Sequence, residues 1–110
     1  LYRLVFNLVE NAIRYSRPGS TVNVSICDND SHVFLRVEDQ GPGIPKQYRE
    51  SIFQPFFRLD KSRSRAYGGA GLGLALVWEI AALHGGTVEV EASSENGATM
   101  LTTLPKRTAA

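Results

Sequence analysis

A chain of 110 residues with 43% apolar and 21% charged side chains is long enough to bury one hydrophobic core and too short for two. A formal net charge of +1 gives no reason to expect a nucleic-acid surface or direct contact with a membrane, so any charge that matters is local. Cys27 is the only cysteine, which leaves no intramolecular disulfide and no cysteine-rich metal site and fits a reducing compartment; no apolar run approaches the roughly 18 to 20 residues of a membrane span.

The chain starts inside a helical pattern, with no starting methionine, secretory leader or capping residue, and is expected to be a piece of a longer protein. Over residues 1–16, Leu1, Leu4, Val5, Leu8, Val9, Ala12 and Ile13 fall at the spacing of an amphipathic helix with a broad buried face. Two asparagines, Asn7 and Asn11, stand four apart in that helix and, with Arg14, lie within an arc of roughly 60° at the edge of the apolar face. A solvated helix edge would look the same, but asparagine is a middling helix former, and a pair at this spacing calls for a reason. Pro18 and Gly19 stop the helix.

Two strands follow, TVNVSIC with Val22, Val24 and Ile26 inward and HVFLRVED with Val33, Leu35 and Val37 inward, joined by a turn over residues 28–31. QGPGIP at 40–45 is too rich in glycine and proline for regular structure, and a short helical segment is expected around Lys46 to Phe53. RLDKSRSRAYGGAG, residues 58–71, is basic and aperiodic and reads as a mobile loop. Leu72 to His84 is the second helix, packed through Leu76, Val77, Ile80, Ala81 and Leu83 and stopped by Gly85 and Gly86. TVEVEA and ATMLTTL close the chain as a hairpin whose turn contains Asn96 and Gly97. The order predicts an α+β fold, a two-layer sandwich of a mostly antiparallel sheet with helices on one face.

Three further features carry chemistry. Asp39 ends an apolar strand in a D-x-G-x-G pattern, where a carboxylate can accept from an amine on a flat base, although aspartate and glycine also begin ordinary loops. GGAGLGL at 68–74 leads into a helix, so its backbone N–H groups can cradle a phosphate; without a following Gly-Lys-Ser or Gly-Lys-Thr it is no P-loop, and a plain hinge has the same composition. Lys61, Arg63 and Arg65 precede it and can close over an anion or simply be solvated. His32 and His84 have no second ligand at metal spacing and read as structural.

Taken in order, NLVENAIRYS (7–16), DQGPG (39–43), FQPFFR (53–58) and GGAGLGL (68–74), followed by HGG and GAT, resemble the N, G1, F and G2 boxes of the catalytic ATP-binding domain of sensor histidine kinases. That domain belongs to the Bergerat-fold superfamily, with gyrase and the chaperone and mismatch-repair ATPases; the resemblance runs from residue 1 to about residue 104. It implies ATP and Mg2+ as ligands. Asn11 is then the metal ligand assisted by Asn7, Arg14 meets phosphate oxygens, and Tyr15 lies against the nucleotide. The resemblance also has Asp39 accept the adenine amino group, with Gly41, Gly43 and Ile44 around the base and Thr99 in support. Gly69, Gly71, Leu72, Gly73 and Leu74 hold the phosphates. Residues 54–70 match the ATP lid, anchored by Phe53, Phe56 and Phe57, with Arg58 and Lys61 near the terminal phosphate.

Two departures follow. Hydrolytic relatives carry a glutamate where this chain has Asn7, which cannot take a proton from water near neutral pH, so the γ-phosphoryl is kept for another acceptor; Glu10 is the nearby carboxylate left to orient that acceptor. The phosphoacceptor histidine of the family lies in a separate dimerisation domain, and the start of the usual catalytic domain is expected to be missing here. The implied partners are that domain and a response regulator, within a homodimeric, membrane-anchored parent whose catalytic domain is expected in the cytoplasm. A nucleotide-sensing interaction module and a serine kinase of the anti-sigma type remain alternatives, the aromatic FQPFFR segment and the lid after it arguing against the second.

Overall fold

The computed structural model describes residues 2–55, 57 and 73–106. Leu4, Leu8 and Ala12, spaced one turn apart, form the buried seam of helix α1 (Tyr2–Tyr15). The seam is narrower than the broad face expected: Val5 and Ile13 are exposed and Val9 is half-buried, because α1 touches β2 and the second helix along one line only.

Strands β1 (Asn23–Asp28) and β2 (His32–Glu38) form a hairpin. Its turn is closed by Asn29, whose Oδ1 accepts from the backbone N–H groups of Ser31 and His32 at 2.9 and 2.8 Å. Strands β3 (Thr87–Ser94) and β4 (Gly97–Pro105) form the second hairpin. Ser94 pairs with Gly97, so the two-residue loop is Glu95–Asn96 and Gly97 already belongs to β4. β4 then pairs with β2, giving one antiparallel sheet in the order β1-β2-β4-β3.

Helix α2 (Gly73–Leu83) ends as its glycines dictate: Gly86 N–H donates to the Ala81 carbonyl and Gly85 N–H to that of Ala82, at 2.8 and 3.0 Å. Val77 and Ala81 are fully buried, while Leu83, expected inside, is 79% exposed in the last turn. The segment at 46–53 is helical as two short 3-10 turns, Lys46–Tyr48 and Ser51–Phe53. They bring Phe53 to 5.3 Å from the Trp78 ring and Tyr48 to 5.7 Å from Phe57.

The core lies between the helices and the sheet: Leu4, Leu8, Val77 and Ala81 meet Leu35, Val37, Val88 and Met100. Removing one of the larger of these side chains costs roughly 2–5 kcal/mol. Val24 and Ile26 pair with Val37 and Leu35 and therefore face the same side, as expected, yet they are 47% and 69% exposed. β1 is an edge strand, and among the described residues neither helix packs extensively against it.

Candidate functional site

The chain leaves β2 at Asp39, a carboxylate only 8% exposed. Its backbone N–H donates to the Ala98 carbonyl at 2.9 Å, which extends the ladder one step beyond the strand. Its Oδ1 accepts from Gly41 N–H at 3.0 Å and from Ala98 N–H at 3.1 Å. A buried carboxylate requires such donors. No donor among the described residues reaches Oδ2, so one oxygen is fixed by the protein and the other is an acceptor of set direction.

The loop over residues 39–44 is pressed between the end of α1 and the β3–β4 hairpin, and its glycines are needed for that. A Cβ on Gly41 would run into the carbonyl of Tyr15, and one on Gly43, which has φ +82, into the carbonyl of Ser94. The close approach these glycines allow is therefore to the protein's own backbone. Ile44 N–H donates to Ser93 Oγ at 2.7 Å, and its half-buried side chain packs against the core.

The polar stripe on α1 lies at the other end of the site. Asn7, Asn11 and Arg14 are all half-buried. Asn7 Nδ2 donates to the Arg3 carbonyl at 2.7 Å, and its Oδ1 lies 3.4 Å from where a Cβ on Gly73 would stand, so the stripe meets the first turn of α2. Asn11 has no hydrogen-bond partner among the described residues. Arg14 reaches Glu10 at 3.7 Å, a loose i,i+4 pair. Leu74 turns its side chain to the core, which leaves its backbone as the part available to a ligand. Arg58, Lys61, Gly69, Gly71, Leu72 and Phe56 lie outside the described residues.

Thr99 is not brought to this site. It pairs with Glu38 and lines a recess on the outer face of the sheet with Asn23, Ser25, Arg36 and Glu91. In that recess the Arg36 fork donates to both Glu91 oxygens, at 2.7 and 2.9 Å, and holds the carboxyl below its ordinary value. The physical reason is strand parity: Met100 and Thr102 are buried on the helix side, so Thr99 points away. The residue of β4 that hydrogen-bonds Asp39 is Ala98, through its backbone, while Gly97 lies against the Asp39 carbonyl.

The family of histidine kinase-, DNA gyrase B- and HSP90-like ATPases matches residues 1–108. The solved mycobacterial sensor histidine kinase MprB superposes with a TM-score of 0.80 at 38% identity, covering 94% of this chain and 68% of that one. The chain belongs to the sensor histidine kinases.

As a member of this ATPase family it is an ATP-binding domain. Among curated relatives, the sensor protein RstB of Escherichia coli K12 is 50% identical over 96 residues, which are 87% of this chain and 22% of that protein. The sensor-like histidine kinase SenX3 of Mycolicibacterium smegmatis is 42% identical over 106 residues, 96% of this chain and 28% of that protein. The chain thus spans about a quarter of the length of these two curated relatives. Full-length ShkA, solved in complex with AMPPNP, superposes with a TM-score of 0.82 at 33% identity, over 98% of this chain and 22% of that one. No helix among the described residues is long and apolar enough to cross a membrane.

Sequence reasoning on this kinase domain missed Ala98 and the side chains that fix the 39–44 loop, Ser16, Arg17, Gln40 and Ser93. Alternation along ATMLTTL, with Met100 inward, was the signal that would have replaced Thr99 by its neighbour. Ser93, 49 residues from Ile44, had no local signal at all.

Proposed function

We propose that this domain binds Mg-ATP and that, in the whole protein, the γ-phosphoryl group passes to a histidine on a separate dimerisation domain and from there to a response regulator. The observation that carries the reading is the Asp39 corner, a nearly buried carboxylate with one oxygen tied by two backbone amides and the other left without a donor among the described residues. That geometry suits the exocyclic amino group of adenine, a flat donor that reads a fixed acceptor. Tyr15 and Ile44 then flank the nucleotide, and Gly41 and Gly43 keep the loop in place beneath it.

At the other end, Arg14 and the first turn of α2, from Gly73, face the phosphates, where a helix N-terminus favours anions. Asn11 offers a neutral amide oxygen, a fitting donor for Mg2+, which takes few protein ligands and keeps several waters. Bound there, the ion would neutralise charge on the phosphate oxygens. Asn7 assists at the same stripe, Glu10 orients the phosphoacceptor, and Arg58, Lys61, Gly69, Gly71 and Leu72 keep the roles that the resemblance implies. In the transfer, an imidazole nitrogen bonds to the γ-phosphorus as the bond to the bridging oxygen breaks, and ADP leaves with that oxygen. Asn7 cannot deprotonate a competing water, which preserves the phosphoryl group for the histidine. The parent is proposed to be a membrane-anchored homodimer whose catalytic domain is cytoplasmic.

The test is titration of a non-hydrolysable ATP analogue with and without Mg2+. Asn11→Ala is expected to remove most of the magnesium-dependent affinity; an unchanged magnesium dependence removes the metal assignment. Mixing the chain with the isolated dimerisation domain and γ-labelled ATP should label a histidine. ATP binding without any such label would instead favour a nucleotide-sensing module.

A further inference from the structure

The Asp39 corner is braced by a side chain whose hydrogen bonds go to backbone carbonyls and not to the carboxylate. Arg17, just beyond α1, sends its guanidinium in two directions: Nη1 donates to the Gln40 carbonyl at 3.0 Å and Nη2 to the Glu95 carbonyl at 2.9 Å. Its backbone N–H reaches the same Gln40 carbonyl at 3.3 Å. Gln40 stands between Asp39 and Gly41 and is held on its other sides as well. Its N–H donates to Ser16 Oγ at 3.1 Å, and its Oε1 accepts from Thr21 N–H at 3.0 Å. Glu95 begins the two-residue turn that delivers Ala98 to Asp39.

We infer that Arg17 is a positioning residue for base recognition, its guanidinium tying together the two segments whose Gly41 and Ala98 amides hold Asp39 Oδ1 and so setting the direction of Oδ2. The inference rests on the proposed role of Asp39 as the adenine acceptor. The loop and the turn are joined to Arg17 across 23 and 78 residues of sequence, and neither segment alone defines the corner. A planar fork with several donors spans two carbonyls at once; a lysine ammonium is a single point on a flexible stem and satisfies one of them well. Both bonds are charge-assisted, which makes them stronger than bonds between neutral groups, although their exposure to solvent moderates the gain.

The experiment titrates Arg17→Ala, Arg17→Lys, Asp39→Asn and the double variant Arg17→Ala/Asp39→Asn with a non-hydrolysable ATP analogue and, separately, with inorganic tripolyphosphate, both with Mg2+. Arg17→Ala is expected to weaken the ATP analogue about fivefold, on the order of one net hydrogen bond, and to leave tripolyphosphate binding unchanged. Arg17→Lys should recover part of the loss. On the Asp39→Asn background, Arg17→Ala should add nothing, because it acts through that carboxylate. Equal losses for both ligands, an additive loss in the double variant, or full ATP affinity in Arg17→Ala would each overturn the inference. Unchanged ATP affinity in Asp39→Asn would overturn the nucleotide reading itself, whereas a loss in Asp39→Asn beside none in Arg17→Ala overturns only the role of Arg17. Should Arg17→Ala unfold, the same comparisons are made with Arg17→Lys, together with hydrogen exchange of the Gly41 and Ala98 amides, which a displaced brace should speed and an irrelevant one should not.

Discussion

The two ends of the candidate site are built in opposite ways. At the base end the protein has already committed its groups: Asp39 Oδ1 takes two amides, Gln40 is bonded through its N–H, its carbonyl and its side-chain oxygen, and Ile44 N–H is held by Ser93. At the phosphate end the side chains are loosely engaged. Asn11 has no partner among the described residues, Arg14 holds Glu10 at only 3.7 Å, and Asn7 turns one amide hydrogen back on its own helix. A preformed acceptor selects the base with little ordering cost on binding, while loosely held donors can rearrange around a triphosphate. On the proposed reading of the site, selectivity and charge neutralisation fall to different mechanical regimes within it.

The comparison is broken most directly at Asp39. Asp39→Asn replaces the open oxygen or its partner by a donor, and calorimetric titration should find ATP affinity reduced about a hundredfold, on the order of 2.7 kcal/mol. A loss below threefold would mean that the corner is structural only. Gly43→Ala attacks the same end through the backbone: at φ +82, with its new Cβ against the Ser94 carbonyl, it should cost about 2 kcal/mol of stability in thermal unfolding. A neutral result would show that the loop can yield, and the contrast between the ends would lose its basis.

Arg14→Ala sharpens the other side. Because its pair with Glu10 is loose, stability should change by less than about 0.5 kcal/mol, while ATP binding weakens about tenfold from loss of a phosphate contact. The smallest effect is expected away from both ends. Arg36 holds the Glu91 carboxyl below its ordinary value, so the stabilisation is present above the unfolded-state value and is lost as pH falls through the lower, folded-state one. Glu91→Gln should flatten that acid limb of the stability profile and leave ATP affinity unchanged. A change in affinity would tie the outer face of the sheet to the site.

Much of the fold was readable because it depends on local period. The one-turn spacing of Leu4, Leu8 and Ala12, the alternation of Leu35 and Val37, and the paired glycines after α2 each carry their own geometry. Burial was harder to read where it depends on neighbours: Val24 and Ile26 have the right parity, but whether a residue of correct parity is covered is decided by which element lies above it. The candidate site divided in the same way. Asp39 was legible as a carboxylate at a strand end, and the glycines were legible as glycines. Their partners were not, because Arg17, Ser93 and Ala98 reach the loop through tertiary contacts that no short window of sequence contains.

The exposed side chains of β1 have a consequence for the colloidal behaviour of the chain. Val24 and Ile26 sit on a six-residue strand whose outer backbone edge has no ladder partner among the described residues. An apolar, unshielded edge of this kind templates the addition of further strands, so aggregation of concentrated preparations should begin there and not at the nucleotide corner. Replacing Ile26 by lysine would act as a gatekeeper against it, and light scattering before and after that single change would read the difference.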